Sequence, residues 1–154
     1  MKKTAGIALV CTKTCRVLFL LKATGGSSGT WGFPGGTMDE GETYEETMYR
    51  ETEEETGISR SQISNVKYLA DVKSDKKVFK LYIGEVSDEI VPVLSDEHSD
   101  YAWVSMDKVG KIDGLPMKSS NKELLPKISS EVKCSSKSLN ENYHFLKMSF
   151  RRFY

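Results

Sequence analysis

The chain has 154 residues, with 22 basic side chains against 22 acidic ones, and 38% of it is hydrophobic. That length suits one domain around one core, and the even charge balance argues for neither a nucleic-acid nor a membrane-surface partner. No apolar stretch approaches the length of a transmembrane helix.

Lys2-Lys3 followed by the apolar run 5–11 imitates a short signal peptide, but Thr12-Lys13-Thr14 interrupts the run and no small-residue cleavage site follows. Residues 5–11 are therefore expected to form a buried strand, and residues 16–22 its hairpin partner. Cys11, Cys15 and Cys134 are odd in number and show no pairing pattern. Free thiols in a reducing, cytoplasmic compartment are expected, with a Cys11–Cys15 bridge across the hairpin as the alternative. Residues 23–30 contain GGSSG and read as a loop that either lines a site or simply connects. In Trp31-Gly32-Phe33-Pro34-Gly35-Gly36, the glycines would let the backbone approach a phosphate or a metal closely. Trp31 and Phe33 read first as core residues and second as substrate contacts that stack on a base.

Residues 36–58, GTMDEGETYEETMYRETEEETGI, are the most informative stretch. Thr43 with Glu46 fits a capping box that starts a helix at Tyr44, and Gly57 suits its end. Successive helical residues turn by about 100°, so Glu51, Glu54 and Glu55 share roughly one 100° arc and Glu53 points away. Three carboxylates on one arc repel each other unless a cation sits among them. Oxygen-only ligands suit a hard ion, Mg²⁺ or Mn²⁺. Arg50 precedes Glu54 by one helical turn and is placed to hold that carboxylate in one rotamer. A solvated acidic helix is the competing reading. Local charge supports the cation: residues 39–55 hold nine acids and only Arg50 in opposition.

The spacing of Gly36, Glu42, Arg50-Glu51, Glu54-Glu55 and Gly57 resembles the Nudix box, the signature of enzymes that hydrolyse nucleoside diphosphates linked to another group. Thr52 stands where that family usually has an aliphatic residue. The resemblance implies an α/β (α+β) fold, an α/β/α sandwich with a mixed central sheet. It implies a metal site made by the Gly36 carbonyl with Glu51, Glu54 and Glu55.

Further along, residues 66–72 and 78–86 read as a strand hairpin about Ser74-Asp75-Lys76-Lys77, and Pro92 limits any strand near it to an edge. Residues 96–100 read as a loop leading into a strand at 101–105. Many Nudix hydrolases carry a similar Glu-His, then aromatic and Trp. By that resemblance Glu97 is a further metal ligand or a base, and His98 a substrate contact; Trp103 reads as core. A short turn or helix follows at 106–109, and a second helix at 121–128 despite Pro126. The domain is expected over 1–130. Residues 131–154 form a basic, aromatic extension, ending NYHFLKMSFRRFY, expected to dock on the domain or on a second subunit.

The resulting expectation is a divalent-metal-dependent pyrophosphohydrolase whose catalytic residues are Glu54, Glu51, Glu97 and Arg50. Its substrates are diadenosine polyphosphates or ADP-ribose. The alternatives are a MutT-type enzyme acting on nucleoside triphosphates and a non-catalytic sensor of nucleotide derivatives. Nucleic acid enters only as a capped RNA end, and homodimers are frequent in the resembled family.

Overall fold

The computed structural model describes residues 1–109 and 115–132. Its centre is a seven-stranded mixed sheet. Strand β1 (Lys2–Cys11) turns back antiparallel into β2 (Arg16–Lys22). Two short strands follow: β3 (Trp31–Gly32) adds to β2, and β4 (Gly35–Thr37) adds to β1. Strand β5 (Ser64–Lys73) forms the expected hairpin with β6 (Lys77–Val86), which runs parallel to β1 from Lys2 opposite Lys77 to Cys11 opposite Val86. Strand β7 (His98–Ser105) pairs antiparallel with β2. It begins at His98, so part of the segment read as a loop belongs to the sheet, because His98 pairs with Lys22 after a register slip.

Side chains alternate across the strands and feed two cores. Ala8, Val10, Val17, Phe19, Ala102 and Val104 face the first, together with Val109, Leu124, Leu125 and Ile128. Ile7, Leu9, Cys11, Leu18, Leu20 and Trp103 face the second, with Met48 and Ile58. Covered on both sides, β1 and β2 read as continuous apolar runs rather than as alternating ones. Helix α1 (Tyr44–Thr56) covers the second core, while α2 (Met106–Val109) and, later in the chain, α4 (Leu125–Glu131) cover the first. This is the expected α/β/α sandwich. The helix expected over 121–128 is split into α3 (Ser119–Lys122) and α4. Pro126 sits in the first turn of α4, where its missing N–H leaves no helical bond unmade.

Helix α1 has the capping box that its sequence specifies. The Thr43 hydroxyl accepts from the Glu46 N–H at 3.1 Å, and the Glu46 carboxylate accepts from the Thr43 N–H at 3.0 Å. Gly57 ends it in the left-handed conformation, φ 75°. Thr52 is buried, and its hydroxyl donates to the Met48 carbonyl at 2.7 Å. The polar atom at the aliphatic position is therefore satisfied within the helix, and the outer methyl still packs.

Cys11 is a buried free thiol, and the Cys11–Cys15 bridge does not form. Cys15 is disulfide-bonded, so the expectation of free thiols fails for it. Among the described residues no helix is long and apolar enough to cross a membrane. The extension at 131–154 lies outside the described residues from 133 onward.

Thr52→Val keeps the shape of a satisfied side chain and should change the unfolding free energy by no more than about 1 kcal/mol. Thr43→Ala removes a cap and should cost about 1 kcal/mol. Urea denaturation of both variants reads the difference.

Candidate active site

The site is built where α1 crosses β4. A side chain at Gly35 would collide with the backbone of Ala5 and Gly6, and one at Gly36 would collide with the Glu51 carboxylate. Bare backbone at both positions lets β4 lie against β1 and α1 together. The Gly35 N–H donates to Glu55 Oε1 at 2.7 Å. Glu55 is only 2% exposed, and its other oxygen, Oε2, has no hydrogen-bond partner. It faces His98 Nδ1 at 3.5 Å, itself buried and without a partner. Burial pushes the Glu55 carboxyl up to about 8, opposed by the Gly35 N–H and reinforced by Glu51 and Glu97. Burial pushes His98 down to about 4, with Lys22 adding to the effect. At neutral pH, without an ion, the two groups meet as a protonated acid and a neutral imidazole.

Arg50 organises the other carboxylates. Its Nε and Nη2 donate to the two oxygens of Glu42 at 2.7 and 3.0 Å, and Nη2 also reaches the Thr37 carbonyl at 2.9 Å. Its Nη1 donates to Glu51 at 3.0 Å and to Glu54 at 3.2 Å. The guanidinium holds the Glu42 carboxyl down to about 2, helped by the Asp39 N–H. Glu51 is pushed up by burial, against the pull of Arg50. Glu54 is exposed, and Glu53, also exposed, contributes a backbone carbonyl to the Gly57 cap. The acids expected as one trio are thus distributed over two adjoining groups. Arg50 joins Glu51 with Glu54, while Glu55 lies with Glu97 and His98, whose ligand atoms fall within 4.8 Å of one another. Oxygen donors beside an unpartnered buried carboxylate oxygen fit a hard divalent ion.

Gly35, Gly36 and His98, which touch these groups, also line a cleft of about 480 Å³. Trp31 and Phe33 are core residues, 6% and 8% exposed, and also form part of the cleft wall. Lys2, Lys22, Lys77 and Lys118 line it too. Lys2 and Lys77 stand opposite each other in the parallel register. Burial lowers the Lys77 ammonium, and Lys118, Lys2 and Lys22 lower it further. Sequence reasoning missed these lysines, because strand pairing alone brings positions so far apart together.

A mixed sheet between helices, with an acidic helix edge opening on a basic cleft behind a Gly36–Gly57 box, is the architecture of the Nudix class. The NUDIX domain family matches residues 1–128, and the chain belongs to it. It is 36% identical over 98 residues to the bis(5'-nucleosyl)-tetraphosphatase [asymmetrical] of Rattus norvegicus, a match covering 58% of this chain and 65% of that one. It is 36% identical over 121 residues to Nudix hydrolase 3 of Caenorhabditis elegans, covering 73% and 50%. The chain therefore spans between half and two-thirds of the length of these relatives. Among solved structures, a C. elegans Ap4A hydrolase superposes with a TM-score of 0.68 at 22% identity, covering 85% of this chain and 97% of that one. The NUDIX domain of Shewanella oneidensis NrtR, complexed with ADP ribose, superposes with a TM-score of 0.69 at 20% identity, covering 85% and 88%. At these identities the superpositions show the fold.

The raised carboxyl of Glu55 gives a pH-dependent expectation. Its proton is held above the ordinary value of 4.5, so ionising it works against folding. Stability from this group is full below about 4.5 and falls as pH rises toward about 8. Glu55→Gln keeps an acceptor for the Gly35 N–H and removes that penalty. Metal-free Glu55→Gln protein should be more stable than the parent at pH 8, on the order of 2 kcal/mol. It should also lose the stabilisation that Mg²⁺ or Mn²⁺ gives the parent. Thermal melts at pH 6 and pH 8, with and without ion, read both effects.

Proposed function

We propose that the protein hydrolyses the diphosphate linkage of nucleoside diphosphate derivatives with a divalent ion, Mg²⁺ or Mn²⁺, and that diadenosine polyphosphates are its substrates. The observation that carries this reading is the cleft lined by four lysines and by His98, whose ring groups with the Glu55 and Glu97 carboxylates within 4.8 Å. Like charges directly opposite one another, as at Lys2 and Lys77, are destabilising until an anion joins them. A polyphosphate chain supplies more charge for that purpose than the single diphosphate of ADP-ribose. The rat relative is named for an activity on such a chain. ADP-ribose is the second reading, supported by the ADP-ribose complex of the NrtR neighbour. RNA ends come third, from a 40% match over 70 residues to the RNA pyrophosphohydrolase of Pseudoalteromonas atlantica.

In this reading the lysines bind phosphate, and Trp31 and Phe33 present an apolar wall to a base. The Gly36 carbonyl, Glu51, Glu54, Glu55 and Glu97 hold the ion. The ion, when bound, supplies charge neutralisation at phosphoryl oxygens and a more acidic water. Arg50 fixes the rotamers of Glu51 and Glu54 and leaves Glu54 at the solvent edge, where it or Glu97 can take a proton. The complete set of box carboxylates counts against a sensor that binds without turnover. The family match, which ends at 128, supports a domain over 1–130. A cytoplasmic setting suits this substrate and the free thiol of Cys11, while the Cys15 disulfide counts against it. A homodimer completes the reading, with sedimentation as its test.

A substrate panel with Mg²⁺ and with Mn²⁺, its products identified by mass, tests this. Diadenosine tetraphosphate should be cleaved faster than ADP-ribose, nucleoside triphosphates or capped RNA, and a flat result across the panel leaves only the sensor. Lys77→Ala combined with Lys118→Ala should raise KM for the tetraphosphate about tenfold or more and change that for ADP-ribose less.

Glu54→Gln should lower kcat by about two orders of magnitude or more with little change in melting temperature. Glu53→Gln should leave kcat within about twofold, since Glu53 lies outside the Arg50 network. Equal losses from the two variants would remove Glu54 from the chemistry.

A further inference from the structure

The β1–β2 turn holds a side chain that the catalytic reading does not use. Cys15 is fully buried in the first core and is disulfide-bonded. The chain has three cysteines, and Cys11 is a free thiol. Elimination leaves Cys134 as the partner, two residues beyond Val132, where the described chain ends. Reach agrees with this, because Val132 packs against the cluster that contains Cys15. Two residues of chain span up to about 7 Å, and the Cα atoms of a disulfide stand roughly 4.4–6.8 Å apart. Cys15 lies in the left-handed region, φ 57°, where a residue with a side chain is uncommon. Its N–H donates to the Cys11 carbonyl at 2.8 Å, and its carbonyl accepts from the N–H of Met106, the first residue of α2, at 3.0 Å. The Ser129 hydroxyl of α4 reaches the Met106 carbonyl at 3.5 Å. Cys15, α2 and α4 therefore adjoin.

Helix α4 needs such an anchor. It has seven residues and no side chain caps its start, and a helix that short is not stable alone. Leu125 and Ile128 pack into the core, and Glu131 pairs with Lys67 at 2.7 Å on the surface. The segment leading into α4 carries Lys118 and Asn121 to the cleft. Its near end is tied to Trp31, whose N–H donates to the Pro116 carbonyl at 2.7 Å and which bridges to Met117. Its far end is held by α4.

We propose that a Cys15–Cys134 disulfide clasps α4 to the first core, and that its reduction loosens the segment carrying Lys118 and so weakens polyphosphate binding in the cleft. A dithiol reductant supplies the two electrons and two protons. Cys15 is sealed from solvent, so the attacking thiolate bonds to the Cys134 sulfur and expels Cys15 as a thiolate, which takes a proton. The second thiol of the reductant then displaces Cys134 and closes the reductant's own disulfide. Both cysteines end as thiols. The inference rests on the proposed function for its last step alone, that the lysines of the cleft take phosphate.

The test begins with the full chain equilibrated with oxidised glutathione, its free thiols then blocked in denaturant and its digest mapped by mass. Cys11 should be alkylated, and the Cys15 and Cys134 peptides should be joined within one chain. Alkylation of both Cys15 and Cys134 overturns the proposal, as does a bond from Cys15 to Cys11 or to a second chain. On adding dithiothreitol, amide hydrogen exchange within 125–131 should quicken at least about fivefold, while that of α1 changes by less than about twofold. Equal exchange of α4 in the oxidised and reduced chain overturns the clasp. Cys134→Ser should exchange like the reduced parent with or without dithiothreitol, and Cys11→Ser should respond to it as the parent does. The parent comparison needs no variant, so a misfolded Cys134→Ser still leaves the decision to it. The Kd for inorganic tripolyphosphate should rise at least about threefold on reduction, and an unchanged Kd overturns the link to the cleft. Hydrolysis is not read at all. A chain that shows the bond and the exchange change but binds no tripolyphosphate in either state sinks the proposed function and keeps the clasp, whereas an active enzyme lacking the bond sinks this inference alone.

Discussion

A carboxyl group sealed from water has three stable states: hydrogen-bonded, protonated, or bound to a cation. Glu55 combines the first two, and the geometry around it prepares the third. One oxygen is fixed by the Gly35 N–H, and that bond ties the last turn of α1 to β4. The other oxygen is left to face His98. The tie works only because β4 offers bare backbone. A side chain at Gly35 would strike the backbone of β1, and one at Gly36 would strike the Glu51 carboxylate. The second core then depends on the same contact, since Met48 and Ile58, within and just after α1, pack against Ile7, Leu9 and Leu18 beneath it.

Arg50 solves a different part of the same problem. An acidic helix edge needs a counter-charge before any ion arrives, and one guanidinium supplies it to Glu42, Glu51 and Glu54 while also donating to the Thr37 carbonyl. A lysine could not reach these groups together, because its ammonium is a single point rather than a planar fork. The arginine also fixes the loop before the helix, since Glu42 accepts from Arg50, the Thr47 hydroxyl and the Asp39 N–H. One side chain thus sets loop, cap region and carboxylate rotamers. An ion entering beside Glu51 and Glu54 finds oxygens already aimed.

The parts legible in the sequence are those set by local rules. The capping box, the Gly57 stop, the outward Glu53, the Arg50–Glu54 pair and both hairpins follow from spacing along one element. The break at Pro126 was half visible: the proline signalled a disruption, but only the fold shows that it begins α4 rather than spoiling a longer helix. Thr52 departs from the aliphatic residue usual in the family, and the hydroxyl bond to Met48 that satisfies it is invisible in a one-letter code. The division of the acidic trio was not legible either. A helical wheel gives angles, whereas Glu55 parts from Glu51 and Glu54 through what each meets: Gly35 and His98 for one, Arg50 for the others. The four lysines, and the position of His98 against Glu55, were out of reach because they come from strand order and register, which one sequence does not display.

The charge arrangement gives the cleft its logic. Overall neutrality conceals two charge groups: carboxylates on α1 with Glu97 just before β7, and lysines from β1, β2, β6 and the segment before α3 that line the cleft together with His98. Among the described residues, the ion pair between the two groups is that of Lys22 with Glu97, at 3.8 Å. The parallel register sets Lys2 opposite Lys77, and a part-buried bond from the Gly35 N–H holds Glu55. Beyond that one pair, among the described residues, neither group of charges neutralises the other. An anion chain satisfies the lysines and worsens the carboxylates, and a cation does the reverse. Only the two together balance both groups of charge, so occupancy by phosphate and by a divalent ion should be mutually reinforcing.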